Sequence, residues 1–62
     1  MILREIERFL RFTGMSWTKF GRLAVRDPRF VADLRNGRMP RPSMEQRIEH
    51  FMNKYKRENY VR

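Results

Sequence analysis

Apolar residues recur at helical spacing from the first positions of the chain. Ile2, Leu3, Ile6, Phe9, Leu10 and Thr13 fall on one stripe, with Arg4, Glu7, Arg8 and Arg11 between them, the three-and-four spacing of a surface helix. Gly14 follows where a glycine closes a helix, so a first helix is expected over 2–13. Ser16 is a good N-cap type, and Trp17, Phe20, Leu23 and Ala24 predict a second helix over 16–24. Gly21 interrupts its middle, where glycine costs about 1 kcal/mol relative to alanine; close approach of another helix is the expected compensation. Asp27-Pro28 reads as the start of a third helix, because Asp caps well and proline suits the next position. That helix is expected over 28–36, with Phe30, Val31 and Leu34 inward and Asn36-Gly37 as its stop. Met39-Pro40-Arg41-Pro42 cannot continue a helix. Ser43 with Gln46 matches a capping box for a fourth helix over 43–57, with Met44, Ile48, Phe51, Met52 and Tyr55 as its stripe. No segment reads as a strand. The expected fold is all-α: a compact four- to five-helix domain with a central helix-turn-helix.

Length sharpens this picture. Sixty-two residues form one domain, 1–62, that hides only about 60% of its unfolded surface. The chain reads as complete, with no room for a separate sensing domain. No cysteine is present, so a disulfide framework and a thiolate metal site are excluded, which fits a cytoplasmic, nucleoid-associated location. Apolar runs are far shorter than the roughly 20 residues of a membrane span, and the N-terminus lacks the apolar core of a signal peptide.

Charge changes the picture more. Fifteen Lys and Arg face seven Asp and Glu, for a net charge of +8. The excess is concentrated: residues 15–42 carry Lys19, Arg22, Arg26, Arg29, Arg35, Arg38 and Arg41 against Asp27 and Asp33, a net of +5. A basic excess of this kind implies a polyanionic partner. Catalysis finds no support. His50 is the only histidine and a metal site needs several ligands. No catalytic residue, cofactor or small-molecule ligand is expected.

Two short helices joined by about three residues are the helix-turn-helix layout, whose second helix enters the major groove. Met15-Ser16-Trp17-Thr18-Lys19-Phe20-Gly21, Asp27 as a cap, Val31 and Leu34 as core, and Asn36-Gly37-Arg38 followed by a proline carry a further resemblance. From about Ile6 to Met52 the chain resembles the phage-repressor (Xre-like, lambda repressor-like) helix-turn-helix family. In that family a small residue such as Gly21 lets the two helices cross closely, and a glycine such as Gly37 closes the recognition helix. Two places depart. Val25 and Arg26 stand where the family has a turn glycine and an apolar residue, so Val25 is expected to turn inward and Arg26 outward. Trp17 replaces the glutamine that often opens the second helix.

The resemblance and the helical spacing together imply a site. Arg29, Ala32, Asp33 and Asn36 share the outer face of the third helix. Arg29 is placed to pair with guanine, Ala32 to touch a thymine methyl and Asp33 to accept from cytosine; for Asp33 a surface ion pair with Arg29 is the competing reading. Ser16, Thr18, Lys19, Arg26, Asn36, Arg38 and Arg41 are expected at phosphates, with Arg22 and Arg35 open between phosphate ligand and solvated charge. The expected function is sequence-specific double-stranded DNA binding by a small transcriptional regulator. It would act as a dimer on half-sites about 34 Å apart, with Tyr55, Tyr60 and Val61 as dimer contacts. The alternatives are a basic module for an acidic protein partner, an excisionase-like architectural DNA binder and, lowest, a membrane-surface peptide built on the first helix.

Overall fold

The computed structural model describes residues 2–59, and within them the chain is four helices without a strand: α1 (Ile2–Thr13), α2 (Trp17–Val25), α3 (Phe30–Arg35) and α4 (Pro42–Asn59). The stop after α1 is built locally. The Thr13 hydroxyl donates to the Phe9 carbonyl at 2.9 Å and accepts from the Met15 N–H at 3.2 Å. Gly14 takes a φ of 74°, open to glycine at little cost, and its N–H donates to the Leu10 carbonyl at 2.8 Å. Ser16 then caps α2, its Oγ accepting from the Lys19 N–H at 3.2 Å, which satisfies one of the orphan donors of a helix start.

All four helices meet in one core. Phe20, Phe30, Ile6, Ile48 and Val31 are its fully buried side chains. Phe9 and Phe20 pack edge to face at 5.5 Å, as do Phe20 and Phe51 at 5.5 Å and Phe9 and Tyr55 at 5.5 Å, the geometry the ring quadrupole favours. Truncating a phenylalanine at the centre of such a cluster costs about 3–5 kcal/mol, so α1, α2 and α4 hold one another.

Six boundaries differ from expectation, among them the start of α2 at Trp17 rather than 16 and the end of α4 at Asn59 rather than 57. The Asp27 carboxylate accepts from the Arg29 N–H at 3.0 Å and the Asp27 carbonyl accepts from the Phe30 N–H at 3.1 Å. Pro28 and Arg29 therefore form a tight turn, and α3 begins at Phe30 rather than 28. Asp27 still satisfies a backbone donor, three residues before the first residue of the helix instead of at its edge. At the other end α3 closes at Arg35 with Asn36 as C-cap. The fourth helix starts at Pro42, which needs no N–H partner; the Glu45 N–H donates to the Arg41 carbonyl at 3.0 Å, so Ser43 is the second residue of α4 and not its cap. α2 runs to Val25, one residue further than expected. On α2, Trp17 is 38% and Leu23 51% exposed, so the buried face is Phe20, Gly21, Ala24 and Val25 instead.

Candidate nucleic-acid interface

α2, the turn 26–29 and α3 form the helix-turn-helix unit, and its geometry rests on two backbone features. The first is the turn. Arg26 has φ 59° and ψ 32°, a left-handed conformation that costs a side-chain-bearing residue about 1–2 kcal/mol. This is the left-handed position of the turn, and it falls on Arg26 rather than Val25. Val25 is buried and Arg26 exposed, as the departures at these two residues predicted. The second is Gly21. A Cβ there would collide with the Asp27 carbonyl oxygen and approach its carbon to 3.2 Å. The close approach is thus made by the turn leading into α3, one step before the helix itself.

The far end of α3 is a Schellman closure. The Arg38 N–H donates to the Asp33 carbonyl at 3.0 Å and the Gly37 N–H to the Leu34 carbonyl at 3.1 Å, with Gly37 at φ 101°, the pairing expected of this motif. Where the motif often carries a hydrophobic contact, here the same two residues make an ion pair. Arg38 Nη1 lies 3.2 Å from Asp33 Oδ2 and 3.6 Å from Asp27 Oδ2, and the guanidinium stands 5.4 Å from the Phe30 ring centroid.

Asp33 therefore pairs with Arg38, not with Arg29. Arg38 neutralises both acids of the unit, Asp27 and Asp33, and a phosphate has to compete with them for it. Arg35 is more firmly engaged. Its Nε and Nη2 donate to the two Glu7 carboxylate oxygens at 3.0 and 2.9 Å, a bidentate fork, and it lies 5.9 Å from the Trp17 ring centroid. The Arg35 hydrogen bond holds the Glu7 carboxyl below its ordinary pKa, against a smaller opposing desolvation, and the charges of Arg35 and Arg11 add to it. This clip joins α1, α2 and α3 and engages Arg35 within the fold. Nothing in the spacing of Glu7, Trp17 and Arg35 announces it.

The remaining basic side chains of residues 15–42 are Lys19, Arg22, Arg26, Arg29 and Arg41. Among the described residues all five are exposed and none is in an ion pair. Protein-family models, curated proteins and solved structures contain no match to this chain.

The expected site residues are distributed over this surface. Arg29 directly precedes α3 with φ −94° and ψ 1°, and its side chain is exposed, as is that of Asn36; Ala32 and Asp33 are half-buried. Ser16 and Thr18 lie together at the start of α2, their hydroxyls 3.3 Å apart, with Lys19 exposed beside them. Arg38 and Arg41 line a recess of about 460 Å³ with Pro40, Ser43 and Met44 at the N-terminal end of α4. Of the expected dimer contacts, Tyr55 is half-buried and packs on Phe9 and Phe51, so the core of its own domain uses much of the ring. Tyr60 and Val61 lie outside the described residues. His50 is exposed on α4, and no cluster of three metal-ligating side chains occurs among the described residues. No helix among them is long and apolar enough to cross a membrane.

Proposed function

We propose that this chain binds double-stranded DNA in the manner of the phage-repressor helix-turn-helix family, α3 entering the major groove, as a small transcriptional regulator acting on DNA as a dimer. The observation that carries the reading is the charge arrangement of the helix-turn-helix unit. Among the described residues five exposed cations have no ion-pair partner, while the two acids of the unit are both answered by Arg38. A surface that neutralises its own anions and leaves its cations free attracts a polyphosphate strongly.

Roles follow from position. Arg29, at the leading end of α3, reads guanine, the commonest specific contact of an arginine. Lys19, Arg26 and Arg41 hold phosphates on either side, with Ser16 and Thr18 near the start of α2 and Asn36 beyond α3. Arg38 changes partners, leaving the two half-buried aspartates for a phosphate. Surface pairs of this kind are worth about 0–1 kcal/mol, so the exchange is cheap.

The reading is tested by titrating the chain with unrelated duplex DNA at several low salt concentrations, beside anionic vesicles and an acidic protein. The expected result is DNA binding whose affinity falls steeply with salt and weak binding to the other two. A chain that binds neither specific nor random duplex at low salt would falsify it. The second reading, a module for an acidic protein partner, draws on Leu23, 51% exposed between the cations Arg22 and Arg26. Tight binding to an acidic apolar peptide, abolished by Leu23→Asp, would favour it.

A further inference from the structure

The solvent face of α1 carries a second run of cations. Arg4, Arg8 and Arg11 are all exposed, and among the described residues none of them is in an ion pair. At about 3.6 residues per turn they fall within roughly 60° of arc, opposite the buried residues Ile2, Ile6, Phe9 and Leu10. They span about 10 Å along the helix axis. The two acids of α1 leave this stripe unneutralised. Glu7 is held by the Arg35 fork, and Glu5 stands on the flank toward α4, in a groove with Glu49 and Lys56. The clip also fixes where the stripe lies. Arg35 is the last residue of α3, and its partner Glu7 sits between Arg4 and Arg11 on α1.

We infer that the Arg4–Arg8–Arg11 stripe is a second DNA-contacting surface, holding phosphates of the duplex that flanks the site α3 enters. This contact rests on the function proposed above and extends it from the site to its surroundings. Duplex DNA presents one negative charge per about 1.7 Å of axis, so a stripe of about 10 Å meets several phosphates at once. Such contacts set affinity and salt dependence and carry no sequence information of their own. Continuity favours the same duplex, because the stripe adjoins the end of α3 through the Glu7–Arg35 clip. A membrane is a poor occupant. An interfacial helix inserts its apolar face, and the apolar face of α1 is the core of this domain, with Ile2, Ile6, Phe9 and Leu10 buried. An acidic protein is a poorer fit than DNA, since the stripe has no apolar side chain to form the centre of a protein interface.

The 62-residue chain is titrated at several salt concentrations on two duplexes that share a sequence selected from a random pool. One carries long flanks and the other is trimmed to the selected sequence. Wild type should bind the long duplex more tightly and with a steeper salt slope. Arg4→Gln, Arg8→Gln and Arg11→Gln combined should lower the slope on the long duplex by about two to three units and leave the trimmed one nearly unaffected. Arg4→Gln alone should lower it by about one unit. All three side chains are exposed, so the thermal midpoint should hold. Arg47→Gln, Lys54→Gln and Arg57→Gln together remove the same charge from exposed positions of α4 and should change little on either duplex. Equal losses from the α1 and α4 variants would reduce the stripe to general charge and overturn the inference. So would an equal loss on both duplexes, or tighter binding to phosphatidylserine vesicles than to the long duplex. Binding to the trimmed duplex that gains nothing from flanks sinks this inference alone. A chain that binds neither duplex sinks the proposed function with it.

Discussion

Gly21 and Asp27 meet twice through their backbones. The Asp27 N–H donates to the Gly21 carbonyl at 3.0 Å, and the Asp27 carbonyl occupies the space that a Cβ on residue 21 would need. The crossing of α2 and α3, and hence the direction in which α3 is presented, depends on the absence of that one carbon. Alanine is normally the better helix former by about 1 kcal/mol. Gly21→Ala should nevertheless destabilise the fold by about 1–3 kcal/mol, the cost of forcing a group into filled space. A thermal melt at or above the wild-type midpoint would show that the turn yields freely.

Arg26 gives the opposite expectation. Its φ of 59° is strained for a residue with a side chain and free for glycine. Arg26→Gly should therefore stabilise the domain by about 0.5–1 kcal/mol after the greater freedom of glycine in the unfolded chain is subtracted. That is a rise of about 2–8 °C in a domain of this size. The same change removes a proposed phosphate ligand, so the salt slope of DNA binding should fall by about one unit. A variant that is more stable and binds DNA less tightly is the expected pair of results; a lower midpoint contradicts the strained-turn account.

At the far end of α3, Gly37 sits at φ 101° with no atom within 4 Å of a built Cβ. Space is available and only the backbone conformation resists a side chain. Gly37→Val should cost about 1–2 kcal/mol and loosen the Arg38–Asp33 pair that the closure positions. An unchanged melt would mean that the closure tolerates a side chain at this φ.

The Glu7–Arg35 clip predicts a pH dependence. Because Arg35 holds the Glu7 carboxyl below its ordinary value in the folded chain, the folded state binds this proton less readily than the unfolded one. The contribution is fully present above the unfolded-state pKa and is lost as pH falls through the folded-state value. It is a solvent-screened surface interaction, so its contribution is small. Comparing wild type with Glu7→Gln in urea melts at neutral and acidic pH should show a deficit in the variant at neutral pH that closes in acid. A deficit equally large in acid would assign the effect to packing instead.

The helical stripes made most of this fold legible before any coordinates. Phe30, Val31, Leu34 and Ile48 are buried where the spacing puts them, and Ser16 and Gly37 serve as the cap and stop their residue types imply. The misplaced boundaries share a cause. Asp27 and Ser43 are good capping types, yet a carboxylate satisfies a backbone donor as well in a turn as at a helix edge, and Pro42 is pre-shaped to open a helix one residue earlier. The exposed cations were also legible. Which of them are already engaged was not, because Glu7 and Arg35 are 28 residues apart and meet only after the helices pack. Asp33 and Arg38 come together only through the left-handed residue between them.

The central claim is that α3 reads bases through Arg29 while its neighbours hold the backbone. It is tested most directly by titrating wild type, Arg29→Ala and Lys19→Ala on a duplex selected from a random pool and on an unselected duplex, at several salt concentrations. Arg29→Ala should cost about 1–3 kcal/mol on the selected duplex and much less on the unselected one. Lys19→Ala should weaken both alike and lower the salt slope by about one unit. If Arg29→Ala weakens both duplexes equally, or if no sequence is enriched from the pool at all, α3 is not a reading helix and the account of this site fails.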